Sequence, residues 1–264
     1  MGFAAALVYA LLMNGIPLAA VIYTGGSPAV LLLLYWFETV LMVVTGAIRI
    51  VLHRRATRRA GHYVAASVAS DKAATAETVR RALGSENDFL KAFLGITVIF
   101  TVVHGVFVLL LVFLFAVAGP VTWDQARVAL TYAVFVQGLF LVWDLPRLAG
   151  WSFARLSRAI GEVQLRVLVT QLGLIFGLPV MSMTGSPWGL VGTFVGVRAL
   201  ADAAIAGLQG FMRRRDLPPG LARMLSRSSK QSVESLEAEF DKLKQDGAAV
   251  EALLERPIGE LRPD

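Results

Sequence analysis

The sequence contains no cysteine, only three histidines and few charged residues. Without cysteine the chain has no disulfide and no thiolate that could act as a nucleophile or bind a metal. Charged residues make up 17% of the 264 residues, whereas a soluble domain has about 25%. Hydrophobic residues make up 56%, and the mean hydropathy is +0.65. This composition excludes an ordinary soluble enzyme and a largely disordered chain, and it indicates a polytopic membrane protein.

Six apolar stretches are long enough, or nearly so, to cross a bilayer as helices, which takes about 20 residues each. Helices are favoured because backbone groups in lipid must be hydrogen-bonded within their own segment. The sequence therefore predicts an all-α fold, a six-helix transmembrane bundle over residues 1–212, followed by a tail over residues 213–264. The predicted spans are Phe3–Tyr23, Ala29–Val51, Ala92–Ala118, Val128–Leu148, Val167–Met183 and Trp188–Met212.

The positive charges lie almost entirely on one side of this arrangement. Of the 25 Lys and Arg residues, all except Arg127 and Arg198 lie at or beyond the ends of the second, fourth and sixth spans. The positive-inside rule then predicts a protein of the cytoplasmic (inner) membrane with both termini in the cytoplasm. The net charge of +6 is explained by this topology, so the bilayer is the expected partner and nucleic acid is not.

Two cytoplasmic segments are predicted to contain short helices. In the loop of about residues 53–88, the pattern over Asp71–Leu83 is typical of a short helix. In the tail, apolar residues recur at helical spacing across about residues 232–246, with charges between them, which predicts an amphipathic helix. This tail helix either docks on the cytoplasmic loops of its own chain or binds a partner protein or a second copy.

Two turns repeat the same chemistry before a span. Thr24–Pro28 precedes the second span, and Thr184–Pro187 precedes the sixth. Glu38 lies ten residues after the first proline, and Arg198 lies eleven residues after the second. At about 1.5 Å of rise per residue, both charges reach similar depth near the middle of the membrane. The register predicts a buried ion pair between them.

Polar residues at this depth form the candidate site. A charge at the centre of a membrane helix costs about 2.5 to 3.5 kcal/mol, so such residues face the bundle interior and find partners. Arg198 and Asp202 are spaced i and i+4 and are expected to pair, and His104 is expected to bond Gln137 or a backbone carbonyl. The predicted polar layer consists of Glu38, His104, Arg198, Asp202, Asp144, Asn14 and Gln137. The glycines expected to allow close helix packing are Gly46, Gly105, Gly138, Gly173 and Gly192.

Three functions are consistent with this layer. The first is proton- or anion-linked transport or permeation through the polar site. The second is an accessory or scaffold subunit, which binds a partner through its tail. The third is an intramembrane enzyme, although the chain has no Gly-x-Ser-x-Gly elbow, no His-Glu-x-x-His helix and no phosphate-binding Gly-rich loop. No metal or cofactor is expected.

Three short sequence pieces resemble an uncharacterised bacterial integral membrane family, domain of unknown function 6498. They are Tyr35-Trp36-Phe37-Glu38, Phe100 with His104-Gly105-Val106-Phe107, and Arg198 four residues before Asp202. The resemblance covers the membrane part of the chain, to about Phe211, and leaves out the tail. It implies a shared membrane core and names no activity.

Overall fold

A computed structural model describes residues 18–19, 21–23, 25–64, 77–78, 88–114, 119–212, 245 and 247–261. Five long helices dominate these residues, and no β-strand is assigned within them beyond a single bridge between Arg59 and Pro257. The long helices are α1 (Pro28–Thr57), α2 (Phe89–Leu109), α3 (Trp123–Leu148), α4 (Phe153–Thr184) and α5 (Pro187–Met212). A 3₁₀ turn (Ala60–Tyr63) follows α1, a π turn (Leu110–Leu114) extends α2, and the short α6 (Ile258–Leu261) comes last.

Four of these helices are long and apolar enough to cross a membrane: α1, α2 with its π turn, α3 and α4. All-helical architecture with several such helices is what the composition predicts, whereas the six-span count stays a prediction. Most of the first predicted span lies outside the described residues. The predicted loop helix Asp71–Leu83 lies outside them apart from residues 77–78, and the tail helix of residues 232–246 apart from residue 245.

Helix starts differ from the predicted span starts because capping residues, and not hydropathy, decide where a helix begins. α3 starts at Trp123 because Thr122 and Gln125 form a reciprocal capping box, each backbone N–H bonded to the other side chain. α4 starts at Phe153, far before the predicted Val167, with Ser152 accepting from the Arg155 N–H. Its first turns carry charged side chains, so a hydropathy criterion cuts the helix short.

The two turns with repeated chemistry share a backbone device. Gly25 and Gly185 both have positive φ, 66° and 63°, a conformation that glycine adopts without strain. Pro28 and Pro187 then occupy the first position of α1 and α5, where a missing N–H costs nothing. The turns therefore set the register of both helices, and with it the height of Glu38 and Arg198.

The described contacts divide the chain into two units, each built from separated segments. The first unit is Met1–Arg49, Phe93–Leu148 and Ala159–Gly210, and the second is Ile50–Ala92, Ala149–Arg158 and Phe211–Asp264. In the second unit, residues near the end of the chain pack with the end of α1, and the division into a bundle over residues 1–212 and a tail over residues 213–264 stays a prediction.

The first unit is a helix bundle whose core includes Leu31, Tyr35, Leu190 and Phe194, all nearly inaccessible to solvent. α4 and α5 approach closely at Gly173, where an added Cβ would lie 2.8 Å from the Phe194 side chain. Outward faces of α2 and α3 are strongly apolar, which suits contact with lipid.

The predicted packing glycines separate into two groups. An added Cβ would lie 2.6 Å from Trp36 at Gly105, 2.8 Å from Phe194 at Gly173, and 3.0 Å from Phe93 at Gly46. At Gly138 and Gly192 it would meet nothing within 4 Å, so the expectation of close packing is wrong for these two. The sequence shows a small residue but not the direction in which its helix face points.

The second unit joins the end of α1 to a segment near the end of the chain. Its buried side chains include His53, His62 and Phe153. Helical residues 247–255 contribute Val250, Leu253 and Leu254, which are also buried. These apolar contacts fix the position of residues 247–261 within this unit.

Candidate functional site

A cavity of about 240 Å³ lies within the first unit, lined by side chains from α1, α3, α4 and α5. Its polar lining contains five of the seven predicted site residues: Glu38, Gln137, Asp144, Arg198 and Asp202. Three further ionisable residues, which the sequence reasoning did not assign to the site, complete that lining: Arg49, Glu162 and Arg166. The remaining walls are apolar and comprise Met42, Val136, Phe140, Ala159 and Val163.

Glu38 and Arg198 form the ion pair that their register predicts. The Arg198 Nη2 donates to the Glu38 Oε2 at 2.8 Å. The Arg198 side chain is 6% exposed, whereas the Glu38 side chain is 22% exposed. A proton or a solute in the cavity therefore reaches Glu38 more easily than it reaches Arg198.

Other groups hold the arginine in place but leave part of it unbonded. The Arg198 Cζ lies 4.8 Å from the centre of the Tyr35 ring, which is a cation–π contact. Gln137 Nε2 lies 3.5 Å from the Glu38 Oε1, a long contact that favours one orientation of the carboxylate. The Nε and Nη1 atoms of Arg198 are buried without a hydrogen-bond partner among the described residues. Only one of the three guanidinium nitrogens is therefore used by a neighbouring side chain.

Two further acid–base pairs line the same cavity. Arg49 contacts Asp144 through both Nε, at 3.0 Å, and Nη2, at 2.9 Å. Arg166 Nε lies 3.4 Å from Asp202 Oδ1. Asp202 on α5 therefore forms an ion pair with α4 and also interacts electrostatically with Arg198, four residues before it on its own helix.

The positive-inside rule counts Arg49 and Arg166 as markers of topology and not as site residues, because both lie near the ends of apolar stretches. Their side chains reach inward from helices that continue beyond those stretches. With them, the cavity lining carries four carboxylates and three guanidinium groups. Full ionisation leaves one negative charge in excess, which a bound proton or cation would neutralise.

Two predicted site residues do not join the cavity. His104 on α2 is buried but does not line it. Its Nδ1 has no hydrogen-bond partner among the described residues, so the expected bond to Gln137 or a backbone carbonyl is not formed by this atom, and the amide beside its ring is that of Gln171. Gln171 also donates to the Phe100 carbonyl oxygen at 2.9 Å. Asn14 lies outside the described residues. Proton exchange between Glu38 and His104 therefore has no direct geometric support.

Within the part of the chain that the structure describes, no group of three His, Asp or Glu residues is arranged to hold a metal ion. The lining chemistry is instead that of alternating carboxylates and guanidinium groups. Such a set can exchange a proton, bind an anion at an arginine, or do both in turn.

One comparison with known proteins gave a match. A family model described as "Family of unknown function (DUF6498)" matches residues 2–227, which confirms the family resemblance carried by the α1, α2 and α5 sequences. No curated protein and no solved structure matches the chain. The matched range contains every residue that lines the cavity, whereas residues 247–261 lie beyond it.

Proposed function

The chain belongs to the family of unknown function DUF6498, and we propose from its cavity that it carries a small anion together with a proton across the cytoplasmic membrane. The cavity is the observation on which this proposal depends. A pair that merely clasped two helices would need no open volume beside it, because a well-packed interior fills such space.

The proposed step is an exchange of partners at Arg198. While Glu38 is ionised, it occupies the Arg198 Nη2. A proton on Glu38 weakens this contact and makes the guanidinium available to a solute anion from the cavity. Proton and anion then enter together, so the net charge of the cavity does not change, which avoids the cost of an unpaired charge in a low-dielectric interior.

The proposed topology is a six-helix bundle with both termini in the cytoplasm. It is supported by the positions of Lys and Arg and by the four membrane-length helices. Because the chain has no cysteine, Asp124→Cys and Arg155→Cys each give a single labelling site. We expect a membrane-impermeant maleimide to label the first in intact cells and the second only after lysis. The reverse pattern would contradict the topology.

Transport of an anion together with a proton is tested with the purified full-length chain in liposomes that contain a trapped pH-sensitive dye. Inward gradients of chloride, phosphate, sulfate or glutamate are imposed one at a time, and lumen acidification is expected for at least one of them. Glu38→Gln should abolish this acidification. The matched control is Asp124→Asn, since Asp124 is 87% exposed and does not line the cavity.

Two outcomes would contradict transport. The first is wild-type liposomes that acidify with none of the four anions. The second is a Glu38→Gln variant that reconstitutes as a folded protein and still acidifies the lumen as fast as the wild type, since Glu38 would then carry no proton. A partner protein that co-purifies with the wild-type chain, and is lost when residues 231–264 are deleted, would favour the scaffold alternative.

A further inference from the structure

Two histidines are hydrogen-bonded to each other inside the second unit. His53 at the end of α1 is 0% exposed, and His62 in the 3₁₀ turn is 1% exposed. The His53 Nδ1 lies 2.7 Å from the His62 Nε2, and the His53 Nε2 lies 3.0 Å from the Trp151 carbonyl oxygen. These two distances determine where the protons are.

The Trp151 carbonyl can only accept, so the His53 Nε2 carries a hydrogen and its Nδ1 is the acceptor of the pair. The His62 Nε2–H is then the donor, and the His62 Nδ1 carries no hydrogen. That Nδ1 atom is buried and has no partner among the described residues. Both rings are therefore neutral in the closed arrangement.

A further proton is unfavourable at both Nδ1 atoms. On the His53 Nδ1 it would set two N–H groups against each other at 2.7 Å, and the nearby Thr57 Oγ1 is farther away at 3.3 Å. On the His62 Nδ1 it would place a charge near Phe153 and Phe89, whose rings lie 5.1 Å and 6.5 Å from the His62 ring, with no acceptor in reach. Protonation of either ring therefore places a positive charge in a buried site without a good acceptor, which favours an open arrangement in which the charged ring reaches water.

Most of the charged groups around the pair lower the pKa of His62. Burial lowers the pKa of His62 to about 3, the neighbouring His53, Arg54 and Arg59 act in the same direction, and Asp88 opposes this only in part. From the C-terminal segment, Glu255 forms an ion pair with Arg59, one of the two arginines that act on His62.

The same 3₁₀ turn also holds the segment of residues 247–261. The Ala60 N–H donates to the Arg256 carbonyl at 2.8 Å, and the Ile258 N–H donates to the Arg58 carbonyl at 3.0 Å. Glu255 forms an ion pair with Arg59 and accepts from a backbone N–H at the start of α4. Displacement of the turn would break these contacts together.

We propose that the His53–His62 pair is a pH-sensitive latch that holds residues 247–261 closed while both rings are neutral and releases them when a ring is protonated. The proposal is independent of transport through the cavity. Each pH unit below the ordinary histidine pKa of about 6.5 should raise the ratio of open to closed latch by up to tenfold per proton. Between pH 7.5 and pH 5.0 this amounts to up to about 30-fold for one proton.

The latch is tested by distance measurements on the full-length chain in lipid nanodiscs. Because the chain has no cysteine, Ala56→Cys with Glu251→Cys gives two defined spin labels at exposed positions of the second unit. A second pair, at Val134 and Ile175, reports on the first unit from exposed positions of α3 and α4. We expect one narrow distance at pH 7.5 for both pairs, and a growing long-distance fraction at pH 5.0 for the first pair only.

The decisive variant is His62→Gln, whose side-chain amide can still donate to the His53 Nδ1 but does not titrate. Its long-distance fraction should stay flat with pH, while the matched control His104→Gln should behave like the wild type. An equal pH response in wild type and His62→Gln would overturn the proposal. So would no opening at pH 4.5, or simultaneous changes in both label pairs.

If the His62→Gln variant already shows the long distance between the first pair of labels at pH 7.5, the wild-type chain still tests the proposal. Only three histidines are present, so their ¹⁵N imidazole resonances can be followed individually in the full-length protein. The latch requires that His53 or His62 become protonated over the same pH range in which the first distance lengthens. Opening while both rings remain neutral would refute it.

Discussion

Removal of the Glu38 charge is the most informative perturbation of the bundle. Glu38→Gln keeps the size of the side chain and an oxygen that can accept from Arg198, so the main loss is charge. The guanidinium would then be left 94% buried, with the π face of Tyr35 as its nearest compensation. The variant therefore measures how far the bundle depends on the pair.

The expected loss of unfolding free energy in Glu38→Gln follows from the burial of Glu38 and Arg198. Breaking a buried ion pair from one side costs about 3 to 5 kcal/mol. Glu38 retains 22% exposure to the cavity, which places the expected loss of unfolding free energy near the lower limit, at about 3 kcal/mol. Arg198→Met should cost less, because the carboxylate that remains can be hydrated. The double variant should recover about 2 kcal/mol relative to the sum of the single variants.

The assay is reversible unfolding in mixed micelles for the wild type, both single variants and the double variant. The control cycle uses Asp124 and Arg127, which lie 3.8 Å apart and are largely exposed, so no measurable coupling is expected. A coupling free energy between Glu38 and Arg198 no larger than that of the control cycle would refute the reasoning, because the 2.8 Å contact would then contribute nothing.

Three further predictions follow from the packing and the titration of named residues. Gly177→Ala should destabilise the bundle by about 1 to 3 kcal/mol, because its Cβ would lie 2.9 Å from a backbone oxygen of α5, whereas Gly138→Ala should be neutral or stabilising in the same unfolding assay. The pKa of His62 is about 3 in the folded protein, so between pH 6.5 and pH 3 the unfolded state binds more protons than the folded state. The stability of the second unit should therefore be complete above pH 6.5 and fall by up to about 1.4 kcal/mol per pH unit below it. Amide hydrogen exchange measures this loss. Glu255→Gln removes the charge opposite Arg59 and should speed amide exchange across residues 247–261 a few-fold at pH 7.5, with no change in the first unit.

The sequence predicts the centre of the candidate site because helix geometry is regular. Pro28 and Pro187 each begin a helix, and a constant rise per residue then brings Glu38 and Arg198 to the same height. No tertiary information is needed for this step beyond the direction in which each helix runs. A buried charge also has few alternatives to pairing with its opposite.

The outer parts of the site could not be predicted in this way. Arg49 and Arg166 read as markers of topology, since the positive-inside rule counts charges without asking where the side chains point. Asp202 pairs with Arg166 because α4 begins at Phe153, and that start is fixed by a serine cap rather than by apolar residues. A hydropathy profile contains neither piece of information.

The histidine pair shows the same limit at shorter range. His53 and His62 are nine residues apart, and they meet only because the chain reverses after α1, where Arg58 adopts φ 49°. A non-glycine residue in this region is unusual and requires support from its surroundings. Here the Arg58 N–H bonds the Arg54 carbonyl and the Arg58 carbonyl accepts from Ile258, so the second unit supplies that support.

This dependence is mutual, and it bears on how the latch would open. The reversed chain at Arg58 positions the 3₁₀ turn, the turn seats His62 against His53, and the bond from Ile258 helps to hold Arg58 in its left-handed conformation. Loss of any one of these contacts weakens the other two, so their disruption should be cooperative within the unit. In the proposed latch, protonation of a single imidazole therefore acts on residues 247–261 through the 3₁₀ turn and Arg58, and not through a direct bond from His62.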